Sequence, residues 1–232
     1  MKIINNPQKM NTYIEKYNLN QLFSQDMSSY MKLYFFKSRE FIYREEDAFT
    51  HVYFFVDGKA KVFNETANGR SLLLCFYKPL QVLGDVELME DKMITSNVEV
   101  IDDAYCIGMP VDKVRSLLIN DLVFLKYLCR NLGTKLVRSS RYSSVNMLYP
   151  LENRLASYIL GVGISHEKGK DLFTFFDTLT VISELLGASY RHLLRTLNNL
   201  MEKGIISRHG DVYEVLDMDT LEELGMDMYQ DV

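Results

Sequence analysis

The chain has 232 residues and a formal net charge of −5, with 47% hydrophobic and 25% charged residues. This balance is typical of folded globular proteins, so it excludes intrinsic disorder as the main state, and the length suits two domains. The apolar runs are far shorter than the roughly 20 residues that a transmembrane helix needs, so we expect no membrane span. The opening residues MKIINNPQKM lack the apolar core of a signal peptide, which predicts a cytoplasmic protein.

Metal-ligand spacing is missing from the sequence. The cysteines are scattered, as are the histidines (Cys75, Cys106 and Cys129; His51, His166, His192 and His209). Zinc and iron–sulfur sites need clustered ligands, so we expect no metal and no cofactor. An enzyme on a cupin-like barrel is a further hypothesis, but the predicted strand region contains a single histidine, His51, and no catalytic triad pattern.

The first half of the chain changes from a helical to a strand pattern. Residues 1–30 show roughly helical spacing of apolar side chains, and residues 34–108 form short segments rich in Val, Ile, Phe and Tyr. Asp57-Gly58, within VYFFVDGKAKVF, suits a type I′ hairpin turn, and Asn68-Gly69 suits a second one. This region therefore predicts a small antiparallel barrel or roll.

A long helix follows the strands. Six side chains repeat at intervals of four and three residues: Leu118, Leu122, Leu125, Cys129, Leu132 and Leu136. Such a heptad seam favours pairing of two copies of the helix, and the alternative is one helix packed on its own barrel. Between Lys126 and Arg141 there are five bases and no acid; we interpret them as a solvated face rather than a nucleic-acid stripe.

Pro150 marks the start of a second domain. The pattern predicts helices at residues 151–160, 178–187 and 189–203, with Gly204 as a C-cap. The run IISRHGDVYEVL then predicts a two-stranded wing that turns at residues 209–211. Residues 214–232 carry seven acids and no base, so we expect a separate acidic tail or helix.

The helix pair at 178–203 carries the strongest functional signal. Ser189 is suited to cap the second helix, and Gly187 lies in the short turn between the helices. Leu193, Leu194, Leu197 and Leu200 predict a buried face, and Tyr190, Arg191, His192 and Arg195 an outward one. The guanidinium groups of Arg191 and Arg195, one turn apart, suit the major-groove edge of guanine. The alternative is an ordinary antiparallel helix pair with solvated arginines.

The order of β-roll, long helix and winged helix–turn–helix resembles the CRP/FNR family of bacterial transcription regulators over nearly the whole chain. The runs ANGRSLLL, LINDLVFLKYLC, PLENRLASYIL and LLGASYRHLL are most similar to its YeiL-like branch. The resemblance implies an α+β fold: an antiparallel β-roll like a cyclic-nucleotide-binding jelly roll (1–110), a dimerisation helix (111–147) and a winged helix–turn–helix domain with the acidic tail (148–232).

The resemblance also implies DNA-contacting positions. The family's recognition helix begins at a Ser, matched by Ser189, and its base-reading positions match Tyr190, Arg191 and Arg195, of which only Arg195 is shared with the cyclic-AMP receptor. The first helix of the motif opens at Thr178, where Val181 replaces the glutamate that completes a capping box, so this cap is weaker. The expected DNA-binding set is Thr178, Thr180, Ser189, Tyr190, Arg191, His192 and Arg195.

The implied effector pocket departs from the family pattern. The family has Gly-Glu followed by Arg-Ser, whereas this chain has Gly84-Asp85 followed by Thr95-Ser96. A buried phosphate needs a cation, which Thr95 cannot supply, while Asp85 and Glu87 add negative charge. The family's Thr-Ser pair on the dimer helix is matched by Ser139-Ser140. We therefore do not expect cyclic AMP as the effector, and the alternative is a roll with a filled core and no ligand.

The sequence thus predicts a homodimeric regulator, not an enzyme, that binds double-stranded DNA at a palindromic operator. RNA polymerase is a further candidate partner, and the small-molecule effector is unidentified. The alternative function is a sensor module that acts through a protein partner without binding DNA.

Overall fold

The computed structural model describes residues 1–66, 69–90, 93–167, 169–175, 177–226 and 228–229. The chain divides into two compact units, one of Met1–Val62 with Tyr77–Arg138 and one of Phe63–Phe76 with Ser139–Val232. The predicted turn residue Asn68 lies outside the described residues.

The first elements in chain order are mainly strands. They are β1 (Lys2–Ile4), α1 (Pro7–Lys16), β2 (Lys32–Phe36), β3 (Phe41–Tyr43), β4 (His51–Glu65), β5 (Ser71–Tyr77), β6 (Gln81–Leu83), α2 (Asp85–Glu90), β7 (Asn97–Pro110), α3 (Val111–Leu118) and α4 (Leu122–Leu148). The strand order is β1-β2-β7-β4-β5, with β3 also paired to β7 and β6 to β4. The β2–β7 pairing is antiparallel, with Lys32 opposite Gly108 and Phe36 opposite Ala104. The helical prediction for residues 1–30 is correct only in part, because β1 precedes α1.

The Asp57-Gly58 hairpin prediction is wrong. β4 runs through both residues without a turn, although Gly58 has a φ of +98°. A Cβ at Gly58 would lie 2.7 Å from the carbonyl oxygen of Asp103 in β7. The glycine therefore permits a close approach of two strands rather than a reversal of the chain.

The core of the first unit lies between the sheet and the helices around it. β4 is buried on both faces, since Val52 to Val56 are all at most 3% exposed. Val52, Phe54 and Val56 join a cluster that includes Leu118 from α3 and residues of α1 and α4. Apolar side chains at alternate positions of β4 and on one face of each helix thus form a single hydrophobic core.

The second unit continues with shorter elements. They are α5 (Leu151–Val162), β8 (Ser165–Glu167), β9 (Lys170–Phe173), α6 (Leu179–Leu185), α7 (Tyr190–Glu202), β10 (Ile206–His209), β11 (Val212–Val215) and α8 (Met218–Gly225). The strands form a four-stranded sheet in the order β10-β11-β9-β8. The predicted wing is therefore half of a larger sheet, because β8 and β9 add a second hairpin to it.

Of the two forms expected for the acidic C-terminal residues, a tail or a helix, the described residues form a helix, α8, which is not separate because it packs against α5. Asp217 caps α8 by accepting a hydrogen bond from the Thr220 amide at 3.0 Å. Gly225 allows α8 to approach α5 closely, since a Cβ there would lie 2.5 Å from Leu160. Met228 and Tyr229 are buried as well. Asp217, Asp219, Glu222 and Glu223 are exposed, so the acids of α8 and its cap lie on the outer side of a helix that packs against α5.

Candidate functional site

The start of α7 presents an outward polar face. The hydroxyl Oγ of Ser189 accepts a hydrogen bond from the His192 amide at 3.2 Å, which caps the helix as predicted. Tyr190 is 47% exposed, and Arg191, His192 and Arg195 are also exposed. The structure therefore places these four side chains on one solvent-facing surface at the helix N-terminus.

The opposite face of α7 packs against the rest of the second unit. Leu193, Leu197 and Leu200 are at most 2% exposed, and Thr196 is also buried. Leu194, predicted in this face, is only half-buried. The Thr196 hydroxyl donates to the His192 carbonyl at 3.0 Å, which explains how a polar residue lies in this face. The polarity of the helix follows its 3.6-residue period.

The turn between α6 and α7 is fixed by backbone hydrogen bonds. The amides of Gly187 and Ala188 donate to the carbonyls of Glu184 and Ser183, each at 2.8 Å. Gly187 has a φ of +60°, a left-handed conformation that glycine adopts without strain. Nη1 of Arg154 in α5 donates to the carbonyl of Leu186. The turn that orients α7 is therefore held both by α6 and by α5.

The start of α6 lies beside this surface. Thr178 and Thr180 are both exposed. The Thr178 hydroxyl accepts from the Val181 amide at 3.4 Å, a long hydrogen bond that fits the weaker cap expected without a glutamate at position 181. All seven predicted DNA-contacting side chains are thus accessible in the second unit.

An open groove between the start of α5 and α7 was not predicted. Its lining residues are Pro150, Leu151, Glu152, His192, Arg195, Thr196, Asn198, Asn199 and Glu202. Oε1 of Glu152 accepts from Asn199 Nδ2 at 2.9 Å and from Lys203 Nζ at 2.7 Å. Glu152 therefore connects the start of α5 to the second half of α7, a contact that local sequence periodicity does not reveal.

The predicted effector pocket holds two buried acids that have partners in their own chain. Asp85 is 1% exposed, and its Oδ1 lies 2.6 Å from Nζ of Lys135 in α4. Lys135 Nζ also donates to the Val82 carbonyl at 2.7 Å. The prediction that Lys135 belongs to a solvated basic face is therefore wrong, because its ammonium group lies against the buried Asp85 carboxylate and its side chain is only 18% exposed.

The second acid of the pocket is also hydrogen-bonded. Glu87 is 5% exposed, and its Oε1 accepts from the amide of Thr95 at 3.0 Å and from the Thr95 hydroxyl at 2.7 Å. Gly84 has a φ of +89°, and Ser96 is half-buried nearby in sequence. Ser139 and Ser140 are exposed on α4 and belong to the second unit.

One face of α4 is apolar and uncovered in the single chain. Leu122 is 64% exposed and Leu136 is 72% exposed. Cys129 is also exposed, and Leu125 and Leu132 are half-buried. Leu118 differs from the prediction, because it ends α3, has no exposed surface and lies in the core of the first unit. The seam therefore starts at Leu122, after a break in the helix.

Known families match both halves of the chain. The cyclic nucleotide-binding domain matches residues 34–121, and the Crp-like helix-turn-helix domain matches residues 153–224. Regulatory protein YeiL of Escherichia coli O157:H7 is 31% identical over 206 residues, which cover 89% of this chain and 91% of that protein. The chain belongs to the CRP/FNR family of transcription regulators.

Further relatives agree with this membership. The CRP-like cAMP-activated global transcriptional regulator of Mycobacterium tuberculosis is 22% identical over 78% of this chain and 82% of its own. A CRP-family transcriptional regulator from Thermus thermophilus has a similar fold, with a TM-score of 0.68, 20% identity, and coverage of 85% of this chain and 98% of its own. CRP/FNR proteins are transcription regulators rather than enzymes, and the helix–turn–helix of this chain is a DNA-binding domain.

The predicted fold class is confirmed: an antiparallel roll, a long helix and a C-terminal helix–turn–helix follow each other in the chain. Among the described residues, no helix is long and apolar enough to cross a membrane.

Proposed function

We propose that the chain acts as a homodimer that reads a palindromic operator with the N-terminal half of α7. The observation that carries this proposal is the polarity of α7, whose buried leucines fix the helix while Tyr190, Arg191, His192 and Arg195 face solvent. A helix anchored along one side and polar along the other suits insertion into a major groove.

Arg191 and Arg195 are the proposed base readers. They lie four residues apart on α7, so their guanidinium groups project from the same face. A guanidinium donates two hydrogen bonds to N7 and O6 of guanine, and each such contact gives about 1–3 kcal/mol of discrimination. Tyr190 and His192 supply further contacts, and Thr178, Thr180 and Ser189 are suited to phosphate oxygens.

The proposed dimer contact is the apolar face of α4. Leu122 and Leu136 would each lose a large exposed area if a second copy covered them. Their spacing, with Leu125, Cys129 and Leu132 between them, is the heptad pattern of two parallel helices. A twofold-symmetric dimer places two α7 helices on half-sites about one helical turn apart, so the operator is expected to be palindromic.

We further propose that the effector is not cyclic AMP. The two buried acids, Asp85 and Glu87, are bonded to Lys135 and Thr95 of the same chain. A cyclic phosphate placed there would have to break the Asp85–Lys135 pair or lie beside an unneutralised carboxylate. Either cost disfavours the phosphate of a cyclic nucleotide.

Selection of bound duplexes from a random pool tests the DNA-binding proposal. We expect the purified protein at physiological salt to enrich one palindromic motif. Enrichment of no motif over random duplex would refute sequence-specific binding. Adding millimolar cyclic AMP is expected to leave both the motif affinity and the thermal unfolding temperature unchanged, and a clear increase in either would refute the effector proposal.

A further inference from the structure

The first turn of α5 carries a carboxylate that bonds twice to α7. Oε1 of Glu152 accepts a hydrogen bond from Nδ2 of Asn199 at 2.9 Å and another from Nζ of Lys203 at 2.7 Å. Asn199 and Lys203 are four residues apart, so their side chains project from the same side of the helix. A single carboxylate oxygen therefore holds the C-terminal end of α7.

A second residue of the same turn holds the other end of α7. Nη1 of Arg154 donates to the Leu186 carbonyl, in the turn that precedes the helix. Glu152 and Arg154 are only two residues apart in α5. The start of α5 thus contacts α7 before its first residue and again near its last, and two such contacts constrain the direction of the helix axis.

The contact at Glu152 is suited to orienting α7 rather than to stabilising the fold. The side chain of Glu152 is 22% exposed and that of Lys203 is 48% exposed. Ion pairs this accessible contribute little to the free energy of unfolding. Glu152 and Asn199 also line the open groove between α5 and α7, so their hydrogen bonds span a part of the interface that apolar packing leaves open.

Arg195 lies between the two ends of α7 that α5 holds. It precedes Asn199 by four residues, which is about 6 Å along the helix axis. Arg191 is farther from Asn199 and lies close to the contact at Leu186. A displacement of the C-terminal end of α7 therefore moves Arg195 more than Arg191. The two hydrogen bonds from a guanidinium to guanine tolerate little displacement, because both depend on distance and angle.

We propose that Glu152 is a positioning residue for the DNA-reading surface: it holds Asn199 and Lys203, and so sets the direction of α7 and the position of the Arg195 guanidinium. This inference rests on the proposed function, since it concerns the same reading face. Sequence preference at the Arg195 base pair then depends on a residue of α5 that acts through α7.

A comparison of Glu152→Ala with Glu152→Gln tests the proposal. Ala removes the acceptor, whereas Gln keeps an oxygen to which Asn199 and Lys203 can donate and loses only the charge. The ratio of operator to random-duplex affinity should fall about two- to tenfold in the Ala variant, the range of one lost hydrogen bond. It should stay close to the wild-type ratio in the Gln variant. Equally tighter binding of every duplex by both variants would mean that the carboxylate acts through its charge, and would overturn the inference.

Duplex selection with Glu152→Ala locates the effect within the operator. We expect relaxed preference at the base pair that Arg195→Ala also relaxes, and retained preference at the base pair that Arg191→Ala relaxes. A purely structural role predicts weaker binding with no such difference between base pairs. Uniform relaxation across the half-site would therefore contradict the proposal.

Asn153→Ala is the matched control. Nδ2 of Asn153 donates to the Leu224 carbonyl in α8 at 3.0 Å. The variant therefore removes a side-chain hydrogen bond from the adjacent position of the same turn, but one that leads to α8 instead of α7. It should keep the wild-type operator preference. A loss as large as that of Glu152→Ala would show that any contact of this turn has the same effect, which the proposal excludes.

The angle between α5 and α7 tests the inference without DNA. Residual dipolar couplings of backbone amides in the free protein should show a changed angle in Glu152→Ala and the wild-type angle in Asn153→Ala. An unchanged angle in Glu152→Ala would refute the inference. If that variant fails to fold, the same measurement on Asn199→Ala, which removes one of the two donors, decides. If the wild type prefers no duplex, the proposed function fails, and the angle still tests the inference separately.

Discussion

Nζ of Lys135 lies 2.6 Å from Oδ1 of Asp85, although the two residues are 50 positions apart in the chain. The Asp85 side chain is 1% exposed and that of Lys135 is 18% exposed. The pair joins α2, the short helix of the predicted pocket, to the long helix α4. The position at which the family places ligand chemistry thus contains an internal ion pair in this chain.

Removal of one member of this pair should destabilise the protein. Lys135→Met leaves the Asp85 carboxylate buried without its cation, so we expect the free energy of unfolding to fall by about 3 kcal/mol. Urea denaturation followed by circular dichroism measures the change. The double variant Asp85→Asn with Lys135→Met should recover part of the loss, because no charge then stays buried. An unchanged urea midpoint for Lys135→Met would contradict the importance of the pair.

The apolar face of α4 predicts the oligomeric state. Leu136→Glu places a charge at a side chain that is 72% exposed in the single chain, so folding should be unaffected. If a second copy covers this face, the charge should dissociate the dimer, which sedimentation velocity detects. Leu216→Glu is the control, since Leu216 is also largely exposed, at 55%, but lies outside α4. Dimers that persist in Leu136→Glu would place the interface elsewhere.

Cys129 gives an independent measurement of helix alignment. It is exposed, whereas Cys75 and Cys106 are buried. In a parallel, in-register pair of α4 helices the two copies of Cys129 face each other, so the thiol oxidant diamide should produce a covalent dimer. A non-reducing gel detects it, and Cys129→Ser should abolish it. A solution dimer that fails to cross-link would indicate a different register.

Arg195 should carry sequence preference rather than general affinity. Arg195→Ala removes one proposed bidentate contact, so operator binding should weaken by about 1–3 kcal/mol, with relaxed preference at one base pair in each half-site. Repeating the duplex selection with the variant measures this. Lys113→Ala, which removes an exposed cation from the first unit, should leave the motif unchanged. Equal loss on all duplexes would assign Arg195 to phosphate binding.

Asp121 predicts a pH-dependent contribution to stability. Burial raises the pKa of its carboxyl, but hydrogen bonds from Ser24, Phe124 and Val123 outweigh burial, so the pKa lies below its ordinary value. The carboxylate therefore stabilises the fold above its unfolded pKa of about 4, and this contribution is lost as the pH falls through the lower folded pKa.

Thermal unfolding of Asp121→Asn at several pH values measures this contribution. The variant should melt below the wild type at pH 7, and the difference should shrink as the pH falls below about 4. Asp112→Asn removes an exposed carboxylate and serves as the control, with little difference at any pH. A difference in melting temperature that grows as the pH falls would contradict the lowered pKa of Asp121.

Local patterns identified those parts of the fold whose signals are periodic. The leucines of α7 and the cap at Ser189 follow from helical spacing and side-chain chemistry, so sequence alone placed the outward arginines. The positive φ of Gly58 was also predicted correctly, but its structural role was not. Whether this glycine forms a turn or permits the close approach of another strand depends on β7, about 45 residues later in the printed sequence.

Such local patterns did not predict contacts between residues that are far apart in the sequence. Lys135 falls within a basic stretch that looks solvated, and only the fold brings Asp85 to it. Tyr229 lies among acids, where composition predicts a polar tail, yet its ring and backbone are buried by α5. Leu118 continues the spacing of the seam, but the break after α3 gives it a different environment.

The break at residues 119–121 also constrains how this protein can evolve. Leu118, on one side of the break, is buried in the core, whereas Leu122, four residues later on the other side, is exposed to solvent. Insertion or deletion of a single residue within α4 would rotate the side chains beyond it by about 100° around the helix axis. The linker at 119–121 is therefore the position that tolerates a change of length. An insertion or deletion farther along α4 would instead rotate part of its apolar face away from a second copy of the helix.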